Sequence, residues 1–200
     1  LDPDRLKKAL TPRSKILILN SPSNPTGAVL SEKDLKALAE LVVEKDLICI
    51  SDEIYEYYLY GKDKHVSIAS LGDEIKKRTF VVNGTSKSYS MTGLRIGYLA
   101  GDAEVVKKVG ILQDHSTSNP ASISQKMAVA ALKMPKSYRV EVREKFEKRS
   151  CRMVELLSQV KGFRPFVPQG AFYVFCDVSQ TGLSSEVLCD QLLEQANVAV

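Results

Sequence analysis

Metal ligands, disulfide spacings and long apolar runs are all scarce in this 200-residue sequence. There are two histidines, His65 and His115, so no metal site is expected. The four cysteines (Cys49, Cys151, Cys176 and Cys189) show no CxxC or other ligand spacing. They read as reduced and mostly packing residues of a cytosolic protein. No apolar run approaches the ~20 residues that a membrane helix needs, and no secretory signal opens the chain. A cytoplasmic location with no membrane partner is the expectation. The net charge of +4 is mild, and Lys and Arg are scattered through segments such as 136–152 rather than gathered in one patch. Nucleic acid is therefore not an expected partner. There is no initiating Met, and Asn197-Val198-Ala199-Val200 reads as a strand just beginning. The expectation is a fragment of a longer chain.

What is present is an ordinary globular composition, long enough to bury a real core. Lys15–Asn20 is an apolar β-rich run that ends in the turn Ser21–Gly27. Ser31 with Asp34 forms a near capping box ahead of Leu35, Leu38, Ala39, Leu41 and Val42 at helical spacing. Leu47–Ile50, Thr79–Asn83 and Tyr98–Ala100 read as short buried strands, and helices are predicted over about 103–113, 121–133 and 136–160. Strands alternating with helices predict an α/β fold: a mostly parallel sheet flanked by helices on both faces. After the long helix comes a turn-rich stretch, 162–168, then an expected strand over Gln169–Phe175 and a helix capped by Ser184 or Ser185. The predicted division is 1–150 for part of a large domain and 151–200 for the start of a smaller α+β domain.

Ligands of parallel sheets sit beyond the carboxyl ends of the strands. Asn24, Asp52 and Lys87 each fall there. Most lysines are solvated surface groups, but Lys87 follows a buried strand in a charge-poor run, Asn83-Gly84-Thr85-Ser86-Lys87-Ser88-Tyr89-Ser90-Met91. Lysine is the residue that forms a Schiff base with an aldehyde cofactor. Eight positions on, Arg95 stands between Gly93 and Gly97. Arginine clamps a phosphate with two parallel bonds, and glycines allow the backbone to approach it closely. Ser86, Ser88 and Ser90 could add hydroxyls. By residue type alone, Asn24-Pro25-Thr26-Gly27 is also a plain turn. Asp52 could be a helix cap, with Glu53 its rival, and Tyr55 a core aromatic beside Tyr57, Tyr58 and Tyr60.

Taken together, Asn24-Pro25-Thr26-Gly27, Ser51-Asp52-Glu53-Ile54-Tyr55 and the 83–98 segment resemble the class I/II aminotransferases, which use pyridoxal phosphate (PLP). The resemblance covers essentially the whole chain. The segment Met91–Tyr98 with Ser116–Pro120 is most similar to the bacterial and archaeal aspartate aminotransferase branch. The resemblance implies that Lys87 binds the PLP aldehyde and later shuttles the Cα proton. It implies that Asp52 faces the pyridine nitrogen, that Tyr55 and Asn24 hold the 3′ oxygen, and that Ser86 and Arg95 belong to the phosphate site. Gly84 stands where many relatives carry a phosphate-binding serine, so only its backbone can contribute. The loop His115–Pro120 is similar to one that reaches a neighbouring subunit's site, which implies a homodimer with shared sites. Gly170–Tyr173 matches a small-domain strand and reads as packing.

The implied reaction moves an amino group between an amino acid, with aspartate foremost, and a 2-oxo acid such as 2-oxoglutarate, alternating between aldimine and amine forms (ping-pong). Two family elements fall outside residues 1–200: an N-terminal phosphate-binding segment and a C-terminal arginine for the substrate carboxylate. This stretch alone is therefore expected not to transaminate. A PLP-dependent β-lyase or racemase, a PLP-sensing transcription regulator with an aminotransferase-like domain, or a homologue without cofactor are the alternatives.

Overall fold

The computed structural model describes residues 2–61 and 64–200. A four-stranded sheet is its centre: β1 (Ile16–Asn20), β2 (Ile48–Asp52), β3 (Thr79–Gly84) and β4 (Gly97–Ala100), in that spatial order. The first three strands are parallel, with Asn20 beside Asp52, and β4 returns antiparallel to β3. The helices are α1 (Pro3–Ala9), α2 (Glu32–Glu44), α3 (Asp73–Arg78), α4 (Ala103–Ser116), α5 (Ser122–Leu132), α6 (Lys136–Leu157) and α7 (Ser185–Ala196). A second sheet pairs β5 (Arg164–Pro165) with β6 (Cys176–Asp177), antiparallel.

Local chemistry accounts for these elements. Ser31 caps α2 by accepting the Asp34 N–H at 3.1 Å and donates its hydroxyl to the Asp34 carboxylate at 2.6 Å. The apolar stripe of α2 then meets alternate residues of the sheet. Leu17, Leu19, Leu35, Leu38, Val42, Leu47, Cys49, Ile68 and Ile75 form one aliphatic core. Each fully buried Leu there is worth roughly 1.5–3 kcal/mol. The Ser184 hydroxyl caps α7 by accepting the Val187 N–H at 3.3 Å.

Three expectations need correction. The sheet is covered by α2 and α3 on one face only among the described residues, and Ile16, Ile18, Ile48 and Val82 stay exposed. Period-two alternation sends every second side chain of a strand to the opposite face, so the same strands that build the core also present this apolar face. Gln169–Phe175 is not a strand. Gly170 makes one isolated bridge to Leu59 and Ala171 takes a left-handed φ of 58°, which breaks the extended run before Cys176. Asn197 closes α7 in the left-handed conformation, and no strand follows it at 198–200.

Close approach explains two glycines. A Cβ on Gly170 would lie 2.5 Å from the Tyr58 carbonyl oxygen. A Cβ on Gly84 would meet the Ile96 carbonyl oxygen at 3.0 Å, where β3 and β4 converge. Gly93, by contrast, has nothing within 4 Å of such a Cβ, so no tight contact requires it.

Candidate active site

The carboxyl ends of β1, β2 and β3 converge on one set of polar groups. Asp52 is the last residue of β2. Its Oδ1 accepts the Ile54 N–H at 3.1 Å, and its carbonyl accepts from Asn20 Nδ2 at 3.4 Å. Asn20 in turn takes the Asn24 N–H on its Oδ1 at 2.7 Å, which ties the 21–27 turn to the end of β2. Asp52 and Glu53 divide two tasks. Glu53 is buried and turned away, accepting from Ser51 at 2.9 Å and Ser67 at 2.7 Å, with His65 Nε2 at 2.8 Å. Burial works to raise its pKa, but the His65 and Ser67 hydrogen bonds, the His65 charge and Ser51 outweigh it and hold the carboxyl below its ordinary value. No such network engages Asp52, and among the described residues it takes part in no ion pair.

Tyr55 stands between these groups and the lysine loop. It is 3% exposed, and its hydroxyl lies 2.7 Å from that of Tyr173. Burial, then the Tyr173 hydroxyl, then the Asp52 charge push the phenol's pKa well above its ordinary value, with Asn24 pulling the other way. Tyr55 is therefore a neutral hydroxyl, able to donate and accept. The Lys87 Nζ is 5.9 Å from the Tyr55 ring centroid and 5.7 Å from that of Phe172, within the ~6 Å of a cation–π contact. No carboxylate among the described residues pairs with it.

Ser86 is half-buried next to Lys87, and its carbonyl accepts the Met91 N–H at 2.9 Å. Arg95 begins the return into β4 with a left-handed φ of 50°, exposed, its Nη1 donating to the Thr92 carbonyl at 2.8 Å. It shares an end of the sheet with Lys87 because Gly97 pairs with Gly84. The structure thus brings Asn24, Asp52, Tyr55 and Lys87 together, and leaves Arg95 and Ser86 on the rim of the same loop. The 115–120 segment is different: His115 and Ser116 end α4, and Thr117–Asn119 is exposed.

Three aromatic residues at this site were read from sequence as packing. The Tyr173 hydroxyl partners Tyr55, Phe172 faces the Lys87 amine, and the Tyr58 hydroxyl donates to the Lys87 carbonyl at 2.7 Å. The hydroxyl tips of Tyr58 and Tyr173 were the available signal, since a buried phenol needs a partner.

The donor set fits PLP. The Thr85 and Ser88 hydroxyls flank Lys87, buried and without a hydrogen-bond partner among the described residues. Among the described residues the half-buried Lys87 amine and Asp52 carboxylate form no ion pair, and both lie near the Tyr55 phenol. Such groups suit a ligand with an aldehyde, a ring nitrogen and an anionic arm.

Fold and site together define an α/β protein with a lysine loop beyond the carboxyl end of a parallel strand, its amine set against two aromatic rings. The chain belongs to the class I and II aminotransferases, whose family model matches residues 1–200. That family is PLP-dependent. Aspartate aminotransferase from Bacillus subtilis is 44% identical over 205 residues, covering 100% of this chain and 52% of the relative. A probable aspartate/prephenate aminotransferase from Aquifex aeolicus is 48% identical over 200 residues, covering 98% and 51%. Among solved structures, the aromatic aminotransferase from Pyrococcus horikoshii superposes with a TM-score of 0.93 at 41% identity, covering 100% of this chain and 54% of that one. Aspartate aminotransferase from Rhizobium meliloti gives 0.92 at 38% identity, covering 100% and 53%. The chain spans about half the length of these relatives.

Proposed function

We propose that this chain is the cofactor-binding part of an aminotransferase that moves an amino group between an amino acid, aspartate foremost, and a 2-oxo acid such as 2-oxoglutarate, in a ping-pong cycle. The observation that carries this reading is the Lys87 amine. It lies unpaired among the described residues against the Tyr55 and Phe172 rings, beyond the strand next to the one that ends in Asp52. The 44% identity to an aspartate aminotransferase supports the choice of donor.

PLP, when bound, supplies an electron sink for the pair released with the substrate Cα proton. This chain's residues would hold that group and move the proton. Lys87 would hold the aldehyde end of the group and, as a free amine, would take the substrate Cα proton; general-base work of this kind contributes about 10²–10⁴-fold. Asp52 would keep the ring nitrogen protonated. Tyr55 and Asn24 would hold the 3′ oxygen, the neutral Tyr55 phenol as a donor. Ser86 and Arg95 would hold the phosphate.

We further assign residues 1–150 to the large unit and 151–200 to the smaller one, a division supported by a second sheet, β5–β6, that lies wholly beyond residue 150. A homodimer is the proposed assembly, with the exposed 117–119 loop directed to the partner. The cytoplasm is the proposed location, in keeping with four free cysteines. No helix among the described residues is long and apolar enough to cross a membrane.

The test uses a protein restored at both ends to the length of its relatives. Loaded with PLP, reduced with borohydride and mapped by peptide mass, it should carry the pyridoxyl adduct on Lys87. It should also form glutamate from aspartate and 2-oxoglutarate. An adduct elsewhere, or none, overturns the cofactor assignment. Faster turnover with another donor overturns the choice of aspartate alone.

A further inference from the structure

We propose that Tyr58 is a positioning residue for Lys87, its buried hydroxyl holding the carbonyl of that lysine so that the amine is presented from a fixed backbone. The inference rests on the cofactor role of Lys87 given above. Lys87 lies in the 85–96 excursion between β3 and β4, outside any ladder. Its carbonyl already closes the local turn by accepting the Ser90 N–H at 3.1 Å. A carbonyl oxygen has a second lone pair, and the Tyr58 hydroxyl takes it at 2.7 Å. The first bond shapes the turn, and the second fastens the turn to the rest of the molecule.

Tyr58 is itself held on every side. It is 2% exposed, and its carbonyl accepts the Ala171 N–H at 2.8 Å. Its ring meets Phe146 of α6 edge-on at 5.3 Å and Phe172 at 5.4 Å. Phe172 is also the ring beneath the Lys87 amine. One tyrosine therefore governs both ends of the lysine, the backbone through its hydroxyl and the side chain through the ring it packs against. Burial pushes the phenol's pKa up to about 12, so it remains a donor across the working pH range.

A purely packing role would be met equally well by phenylalanine, which differs by the one oxygen at issue. The experiment compares Tyr58→Phe with Thr79→Val in the restored protein. Thr79→Val removes a bond of the same type, a buried hydroxyl donating to the Ile75 carbonyl at 2.7 Å, at the opposite end of β3. With PLP bound, Tyr58→Phe should still give the Lys87 adduct on reduction. It should lower kcat by about 10- to 100-fold, the penalty of a misplaced reacting group, with KM for the amino acid unchanged. In the protein without PLP, amide exchange over residues 85–91 should quicken in Tyr58→Phe and not in Thr79→Val. Unchanged exchange and unchanged kcat in Tyr58→Phe would reduce Tyr58 to packing and overturn the proposal. Absence of the adduct in the unsubstituted protein would instead sink the cofactor reading, and the exchange comparison would still decide whether Tyr58 holds the loop.

Discussion

Among the described residues, two buried clusters differ in their chemistry. The core between the sheet and α2 is aliphatic, built from leucines, isoleucines and valine around Cys49. The cluster below Lys87 is aromatic: Tyr55 and Tyr58 with Phe146, Phe172 and Tyr173. The first has almost no polar atoms to satisfy, so its value scales with area removed from water. The second packs mostly by ring edges at 5.2–6.5 Å, and its tyrosine hydroxyls are aimed at specific oxygens. Packing of this kind is worth ~0.5–1.5 kcal/mol per aromatic pair beyond area. It also fixes where a phenol ends. The aliphatic core holds the strands in place, and the aromatic cluster packs against the lysine loop beyond their ends.

That contrast breaks most sharply at the lysine. Lys87→Ala in the restored protein should lower kcat by about 10²–10⁴-fold while the melting temperature holds, because the amine supports no packing. Leu38→Ala should do the reverse. Leu38 is fully buried, so truncation should cost about 2–5 kcal/mol in chemical denaturation, with turnover per folded molecule unchanged. If Leu38→Ala impairs turnover as strongly as Lys87→Ala, the separation between the clusters fails.

A smaller effect concerns acid. The folded-state pKa of Glu53 lies below its ordinary value of 4.5. A depressed carboxylate contributes stability that is fully present above the unfolded pKa and is lost as pH falls through the folded one. Glu53→Gln should therefore weaken the protein at neutral pH and flatten the loss of stability below about pH 4.5. Melting curves across pH 3–7 measure this, and parallel curves for the two proteins would show that Glu53 is not linked to acid unfolding. The smallest expected change is at Tyr173. Tyr173→Phe removes one hydrogen bond, about 0.5–1.5 kcal/mol. It should move the Tyr55 phenol back toward its ordinary pKa, read by phenolate absorbance. An unshifted titration would separate Tyr173 from the site.

Strand-end positions were legible because parallel sheets place ligands there, and Asn24, Asp52 and Lys87 are all found at the expected ends. The partition between Asp52 and Glu53 was legible only through the family resemblance, not from residue type. It depends on Ser67 and His65, brought to Glu53 by tertiary folding. The same holds for Tyr173, which meets Tyr55 across 118 positions of sequence. Apolar periodicity marks Phe172 and Tyr173 as buried without saying beside what. The expected strand at 169–175 failed for a local reason: Gly170 must pass against the Tyr58 carbonyl, and Ala171 turns left-handed beside it.

The antiparallel return of β4 has a consequence for length. Asn83 pairs with Tyr98 and Gly84 with Gly97, so residues 85–96 form a closed ring with both ends pinned by consecutive ladder pairs. An inserted or deleted residue cannot be absorbed by sliding the strands, because a one-residue slip inverts every side chain of β4. Surface loops generally accommodate extra residues at low entropic cost. Here the extra residue would have to be taken up within 85–96, and one placed between Lys87 and Arg95 would displace either side chain relative to the other.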